Sequence, residues 1–321
     1  MNGSAPAITV VVPAYNAADT VVETIQGVLR QTMEDLEVVV VDDGSGDDTA
    51  ARVEAIADPR LRLLRQENGG AAAARNAGIR QARGRWVAFL DSDDVWLPHK
   101  LEVQLAVLES NPGVSAVQSG AYFVDDRLRP LEVRRCVQPD DSLLTFLRFQ
   151  NLPNAASTWV IERDALERIG MFDTSLAILE DWDISIKAAR HCNPISIEEP
   201  LSLYRVHPGN RSRDLEIHIE PGLRILARLF ADPTLPRQVR DREREIYARL
   251  YTMFAGGALR AGQRRACARW GLRAVRADPR ALAYLGSLPA RRLRRRLSRR
   301  GVETEGLSPL LQAAEPMSIG R

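Results

Sequence analysis

Three carboxylates stand within four residues at Asp91, Asp93 and Asp94, directly after the apolar run from Trp86 to Leu90. Such a cluster repels itself unless a cation or strong donors attend it. Hard carboxylate oxygens suit magnesium or manganese, and magnesium binds through one or two carboxylates together with substrate phosphates. A solvated acidic turn capping the next helix is the other reading. Asp42 and Asp43 end an earlier apolar run. A carboxylate there can accept from a base N–H or a ribose hydroxyl, or close an Asx turn in which Ser45 or Asp47 caps the following helix. Tyr15, in Pro13-Ala14-Tyr15-Asn16, can lay its ring on a nucleobase or simply pack. Asn68-Gly69-Gly70 opens an Ala-rich helix whose N-terminus favours anions. Arg75 on that helix can reach a phosphate, or pair with Asp91 or Asp93. Asp181 falls in the first turn of a helix, where the dipole and free amides favour the ionised form that a general base needs. Ordinary N-terminal helix acidity explains the same residue without chemistry. His207, followed by Pro-Gly-Asn, is a metal ligand, a phosphate contact or an exposed loop histidine.

The elements that must position these residues follow from periodicity. Apolar, β-branched runs predict strands over 7–12, 36–41, 60–65 and 85–90. Helices are expected over 18–31, 48–57, 70–82 and 99–110, with Thr20 and Glu23 at capping-box spacing. Strand–helix alternation with short loops means an α/β fold with a doubly wound, largely parallel sheet, and such sheets bind ligands at the carboxyl ends of their strands. Beyond Pro98 a strand near 114–118, a hairpin over 121–135, a strand over 156–161, a helix from Glu180 to about 191 and an extended stretch over 195–205 follow. The remainder reads as helical, with segments near 216–231, 236–261 and 264–277. The expected division is an α/β domain over 1–213, a helical extension with a basic segment over 214–300 and a flexible tail over 301–321.

Composition narrows the class. The chain has 321 residues, 45% hydrophobic and 27% charged, the mix of a soluble globular protein. It has no run of about eighteen apolar residues that would span a membrane, and no secretory signal pattern, so a cytoplasmic location is expected. Cys136, Cys192 and Cys267 are scattered, which argues against a disulfide framework or a structural zinc site. The net charge of +2 hides an asymmetry: residues 264–300 carry thirteen Arg against one acid, Asp278. The run 291–300 is a candidate contact with an anionic membrane at its inner face, or a solvated basic helix. Nucleic acid fits poorly, because aromatic residues are not interleaved with the basic ones.

Seven segments together resemble glycosyltransferase family 2. They are Val-Val-Pro-Ala-Tyr-Asn (11–16), Val-Asp-Asp-Gly-Ser (41–45), Asn-Gly-Gly-Ala-Ala-Ala-Ala-Arg-Asn-Ala-Gly (68–78), Phe-Leu-Asp-Ser-Asp-Asp (89–94), Gly-Met-Phe-Asp (170–173), Glu-Asp-Trp-Asp (180–183) and Tyr-Arg-Val-His (204–207). The resemblance covers about residues 7–210 and rests on joint order and spacing. It implies the GT-A nucleotide-sugar transferase fold, to which the helical pattern beyond the resemblance adds a C-terminal extension, and an inverting, metal-dependent transfer of one sugar from a nucleotide sugar, typically a UDP-sugar, to a hydroxyl acceptor. Glycan or lipid-linked acceptors of cell-surface polysaccharide synthesis are the implied class. By that resemblance Tyr15 stacks on the base beside Pro13, Asp43 bonds the base, Arg75 helps hold the donor, and Asn16, Asn68 and Ser92 join the donor side. Asp91 faces ribose or metal. Asp93 is the principal ligand of Mn2+ or Mg2+ in the DxD motif, with His207 near the metal or diphosphate. Asp181 is the base, and Glu180 and Trp182 line the acceptor side. Processive members carry QxxRW and membrane helices; here Arg269-Trp270 has Ala266 at the Gln position and lies far from Asp181, so transfer of a single sugar is expected. A catalytically silent member that binds a nucleotide sugar or a protein partner is the alternative.

Overall fold

The computed structural model describes residues 5–152, 155–207, 209–210, 216–283 and 285–286. In chain order its elements are β1 (Ile8–Ala14), α1 (Val21–Leu29), β2 (Leu36–Asp42), α2 (Thr49–Glu54), β3 (Leu61–Arg65), α3 (Ala71–Gln81), β4 (Trp86–Phe89), β5 (Val95–Trp96), α4 (Lys100–Ser110), β6 (Ala116–Val124) and β7 (Pro130–Arg134). Then come α5 (Ser142–Leu147), α6 (Ala155–Thr158), β8 (Trp159–Glu162), α7 (Arg163–Arg168), α8 (Glu180–His191), β9 (Ile195–Arg205), α9 (Ile219–Ala231), α10 (Arg237–Arg240), α11 (Glu243–Arg260) and α12 (Arg264–Ala277). The sheet runs β3-β2-β1-β4-β8-β6-β9-β5, with β7 paired on β6 as the expected hairpin.

The order β3-β2-β1-β4 is wholly parallel. Beyond it the sheet is mixed: β8 enters antiparallel to both β4 and β6, β9 is parallel to β6, and β5 is antiparallel to β9. Every residue of β1 and β2 is buried, which is why their sequences are continuous β-branched runs rather than alternations. Strand order reverses between β1 and β4, so the crevice at their carboxyl ends is the place for a ligand. Close packing fixes that end. Gly78 lets α3 lie directly on β1, since a Cβ there would stand 2.3 Å from Val11 Cγ1. At the opposite end buried Glu37 accepts from the Thr9 hydroxyl (2.8 Å) and from the Arg83 amide and guanidinium. Burial pushes the Glu37 carboxyl up, and these donors more than offset it, so the group is held below the usual range.

Two expectations are corrected. Thr20 and Glu23 form no capping box: no side-chain bond caps α1 at Thr20, and the Glu23 carboxylate is instead taken by Arg205. The helix expected over 236–261 is broken into α10 and α11, with Arg240 reaching back to the carbonyls of Phe230 and Asp232.

The chain divides into two units. One holds residues up to Ser142 together with Asn151–Pro208 and contains the sheet. The other holds Leu143–Gln150 and Gly209–Gly301. In the latter, Arg148 forks onto Glu245 (2.8 and 3.0 Å). Trp270 stacks on Tyr251 and meets Phe254 edge-on, so Arg269-Trp270 belongs to helix packing. No element marks Leu143–Gln150 in the sequence as a visitor from the sheet unit. The segments 291–300 and 301–321 lie outside the described residues.

Candidate active site

The loops after β1, β2 and β4 meet at the crevice. Tyr15 is 54% exposed there, so its ring is free to take a flat ligand. Asn16 sits at φ 48°, its amide donating to Ser45 Oγ (2.9 Å) and its Oδ1 accepting from Gly46 (2.8 Å). Asn16 thereby locks the β1 loop to the β2 loop. Pro13 pairs in register with Val41, inside β1. Asp42 makes the turn, accepting from the Ser45 amide. Asp43 is buried and accepts from Gln66 Nε2 (2.7 Å) and the Gly69 and Gly70 amides (2.9 and 2.8 Å), while Asn68 Nδ2 donates to its carbonyl. In this state Asp43 and Asn68 hold the entry to α3 in place, and the free amides expected there for an anion are already satisfied by Asp43.

Arg75 joins the loop after β4 to the start of α8. Its guanidinium is 4% exposed and donates to Asp91 Oδ1 (2.6 Å) and Glu180 Oε1 (2.8 Å), while its Nε has no acceptor. It also lies 5.2 Å from the Phe172 ring centroid. Asn76 holds that ring's backbone at both ends, donating to the Phe172 carbonyl and accepting from its amide. The Gly-Met-Phe-Asp segment is therefore a wall that keeps Arg75 in place. Burial opposes the Arg75 charge, and Asp91 and Glu180 more than compensate, holding its pKa above the ordinary arginine value.

Asp181 stands next to Glu180 in the first turn of α8, partly exposed, with Oδ1 accepting from the Trp182 amide. The expectation that the helix dipole keeps it readily ionised is corrected. Burial and the Glu180 charge push its pKa up to about 7, against the opposing pull of Arg75. A carboxylate poised near neutrality is a better proton acceptor than one at its ordinary value. Trp182 is also corrected: at 2% exposure it has no place on the open side of the site, and Glu180 and Asp181 are what α8 presents.

The acidic loop divides its labour. Ser92 gives its carbonyl to the Thr24 hydroxyl. Asp93 Oδ2 lies 2.9 Å from His207 Nε2. Burial first and Asp91 second push Asp93 upward, with His207 opposing. The two face each other at hydrogen-bond distance with Asp91 adjacent, and carboxylate oxygens with an imidazole are donors that would suit a divalent cation. No group of three or more His, Cys, Asp or Glu able to hold a metal occurs among the described residues. The remaining ligands would come from phosphate and water, as magnesium sites commonly arrange. Asp94 is fully buried and does not face the crevice: it accepts from Ser157 Oγ (2.6 Å) and the Arg205 amide (3.0 Å).

Three residues escaped the sequence reading. Ser157 receives the Asp91 amide on its hydroxyl and the Trp96 indole on its carbonyl. Arg205 donates from Nε to the Asp93 carbonyl (2.9 Å), from one terminal nitrogen to the Asp126 carbonyl, and pairs with Glu23. Arg205 thereby holds together the loop carrying Asp93 and the strand end preceding His207. Only its place in Tyr-Arg-Val-His hinted at this; Ser157 carried no signal, and Glu23 signalled a capping box instead.

Residues 9–170 match the model described as Glycosyl transferase family 2. The chain is 34% identical to the succinoglycan biosynthesis protein ExoO of Rhizobium meliloti, over 98% of this chain and 95% of that one. It is 43% identical, over 32% of its own length and 42% of the relative's, to the UDP-Glc:alpha-D-GlcNAc-diphosphoundecaprenol beta-1,3-glucosyltransferase WfgD of Escherichia coli. Among solved structures, S. aureus TarS 1-349 in complex with UDP-GlcNAc superposes with a TM-score of 0.66 at 20% identity, covering 90% of this chain and 88% of that one. The mannosyltransferase PcManGT of Pyrobaculum calidifontis, in complex with GDP-Man and Mn2+, gives 0.59 at 22% identity over 97% and 86%. These two likenesses establish the fold.

Proposed function

This chain belongs to glycosyl transferase family 2 and is a glycosyltransferase, and on that footing we propose that it moves one sugar, with inversion, from a UDP-sugar to a hydroxyl of a lipid-linked glycan or polysaccharide intermediate. The observation that carries the reading is Arg75. One guanidinium spans Asp91, on the loop with the metal-type pair, and Glu180, beside Asp181. A leaving-group side and a proton-accepting side thus meet in one crevice.

Tyr15 offers an open ring to the base, with Pro13 and Asn16 shaping the loop that presents it. Asp43 and Asn68 set the position of the Gly69-Gly70 backbone against the donor. Arg75, sealed behind Asp91, fixes the carboxylate that faces the donor. Asp93 with His207, and Asp91 beside them, would hold Mg2+ or Mn2+, which when bound neutralises the departing diphosphate. Asp181 takes the proton of the acceptor hydroxyl, and the freed oxygen attacks the anomeric carbon opposite the C–O bond to diphosphate, which breaks as the new bond forms. Glu180 fixes Arg75 and raises the basicity of its neighbour. No helix among the described residues is long and apolar enough to cross a membrane. We place the enzyme in the cytoplasm, meeting lipid-linked acceptors peripherally at the inner membrane face with the help of 291–300.

A thermal-shift panel of UDP-, dTDP- and GDP-sugars, each with manganese and with chelator, tests the donor assignment. Metal-dependent stabilisation by UDP-sugars alone is expected. Stabilisation by one of them without turnover on any lipid-linked acceptor would favour a silent binding member instead.

A further inference from the structure

Several arginines of the helical unit have acidic partners: Arg224 with Glu220, Arg237 with Asp241, and Arg242 and Arg249 with Glu245. Helix α12 instead carries Arg264, Arg265, Arg269, Arg273 and Arg276 and no acid. All five are exposed, and none has a carboxylate partner among the described residues. At 3.6 residues per turn they fall within an arc of about 180°, with Leu272 near its centre. Leu272 is 52% exposed, whereas Trp270 and Ala274 on the opposite side are buried.

Five cationic side chains on one face, none bonded to a carboxylate among the described residues, repel one another, and nothing in sugar transfer requires them. A half-exposed leucine among them adds nothing to solubility. Cationic side chains around an apolar one are what an interfacial helix presents to a negatively charged leaflet. No aromatic ring lies on the exposed face, so stacking on single-stranded nucleic acid is not offered. We propose that the exposed face of α12 docks on an anionic phospholipid bilayer, its arginines on the headgroups and Leu272 among them. The membrane contact proposed above for 291–300 is thereby extended to a second, folded element, and the docking stands independently of sugar transfer.

The test is co-sedimentation of the full-length protein with vesicles of phosphatidylcholine alone, or with about a third phosphatidylglycerol, at low and high salt. Binding is expected on the anionic vesicles only, weakened by salt. Each arginine near the leaflet is worth roughly fivefold in partitioning, so R264Q/R265Q/R276Q loses on the order of 100-fold. These three avoid Arg269 and Arg273, which lie 5.3 and 4.7 Å from the Trp270 ring centroid. R264K/R265K/R276K retains binding, which separates charge from any loss of fold, and Leu272→Ser costs roughly tenfold. Unchanged binding in the Gln triple, or loss confined to a variant neutralised only within 291–300, overturns the proposal. So does α12-dependent binding to single-stranded RNA with no preference for vesicles. Turnover with a water-soluble acceptor, followed on the same variants, keeps the two readings apart: no turnover with intact vesicle docking counts against the proposed transfer reaction alone.

Discussion

In the sheet unit, Arg75 and Arg205 pair with carboxylates 105 and 182 residues away, and both guanidinium groups are nearly sealed from solvent. In the helical unit, Arg224 and Arg237 pair four residues along their own helix, in the open. The chemistry of the pair is the same, but its consequence is not. A buried charge that loses its partner stays desolvated, whereas an exposed one is met by water and salt. Long-range buried pairs tie distant segments together, as Arg75 and Arg205 do at the crevice, and local exposed pairs merely balance the charge of a helix.

The sharpest break of the comparison lies at Asp181. Asp181→Asn is expected to lower kcat by on the order of 10²–10⁴, while calorimetry finds donor affinity retained; unchanged turnover removes Asp181 as the base. Because its pKa is raised to about 7, kcat should rise with pH through that value and level off above it. The sign for stability is opposite. The folded chain keeps this proton between the ordinary 3.8 and about 7, where the unfolded chain has released it. The stability that Asp181 contributes is complete below the lower value and is lost as pH rises through the upper one. Asp181→Asn should thus be more stable than the parent above neutrality, and the gap should close toward pH 4. A gap that widens on acidification contradicts the assignment of burial as the cause.

Next in size is Arg75→Met. It leaves Asp91 and Glu180 facing each other without their cation, at a cost of about 3 kcal/mol in denaturant unfolding, the lower end for buried pairs because Asp91 keeps some solvent. Arg75→Lys should recover only part, since a single ammonium does not reproduce the planar fork that meets two carboxylates. Equal stability of the Met variant would place Arg75 with the exposed arginines.

The same contrast explains what could be read in advance. Asp91, Asp93 and Asp181 were legible because acidic residues directly after an apolar run, or opening an amphipathic one, must lie at an element's end. The parallel half of the sheet was legible because β1 and β2 are apolar throughout, a pattern only a strand buried on both faces supports. Arg205, Ser157 and Glu23 were not legible, because their meaning lies in partners distant in the chain. Trp182 was misplaced because helix position alone does not tell which side of the first turn faces the crevice. The basicity of Asp181 was misjudged because the dipole is a property of one helix, whereas burial and the Glu180 charge belong to the assembled crevice.

A backbone contact tests whether the crevice depends on packing as well as charge. Gly78→Ala puts a methyl into Val11, on the strand that ends at Tyr15's loop. A cost of about 1–3 kcal/mol is expected, with weaker donor binding because α3 carries Arg75 away from Asp91. A stability loss with donor affinity unchanged would show that the site tolerates movement of α3.

The smallest effect is the most discriminating for the opening contrast. Arg224 and Glu220 are bonded at 2.6 Å, as short as Arg75 to Asp91, yet their side chains are 47% and 67% exposed. If distance set the energy, Arg224→Ala would cost as much as the loss of Arg75. If burial sets it, the change should stay within about 0.5 kcal/mol and shrink further with salt. Urea unfolding of Arg224→Ala and Arg75→Met side by side, at low and high salt, decides between the two. Burial is the expected winner, because the water that replaces a partner at Arg224 has no way to reach Arg75.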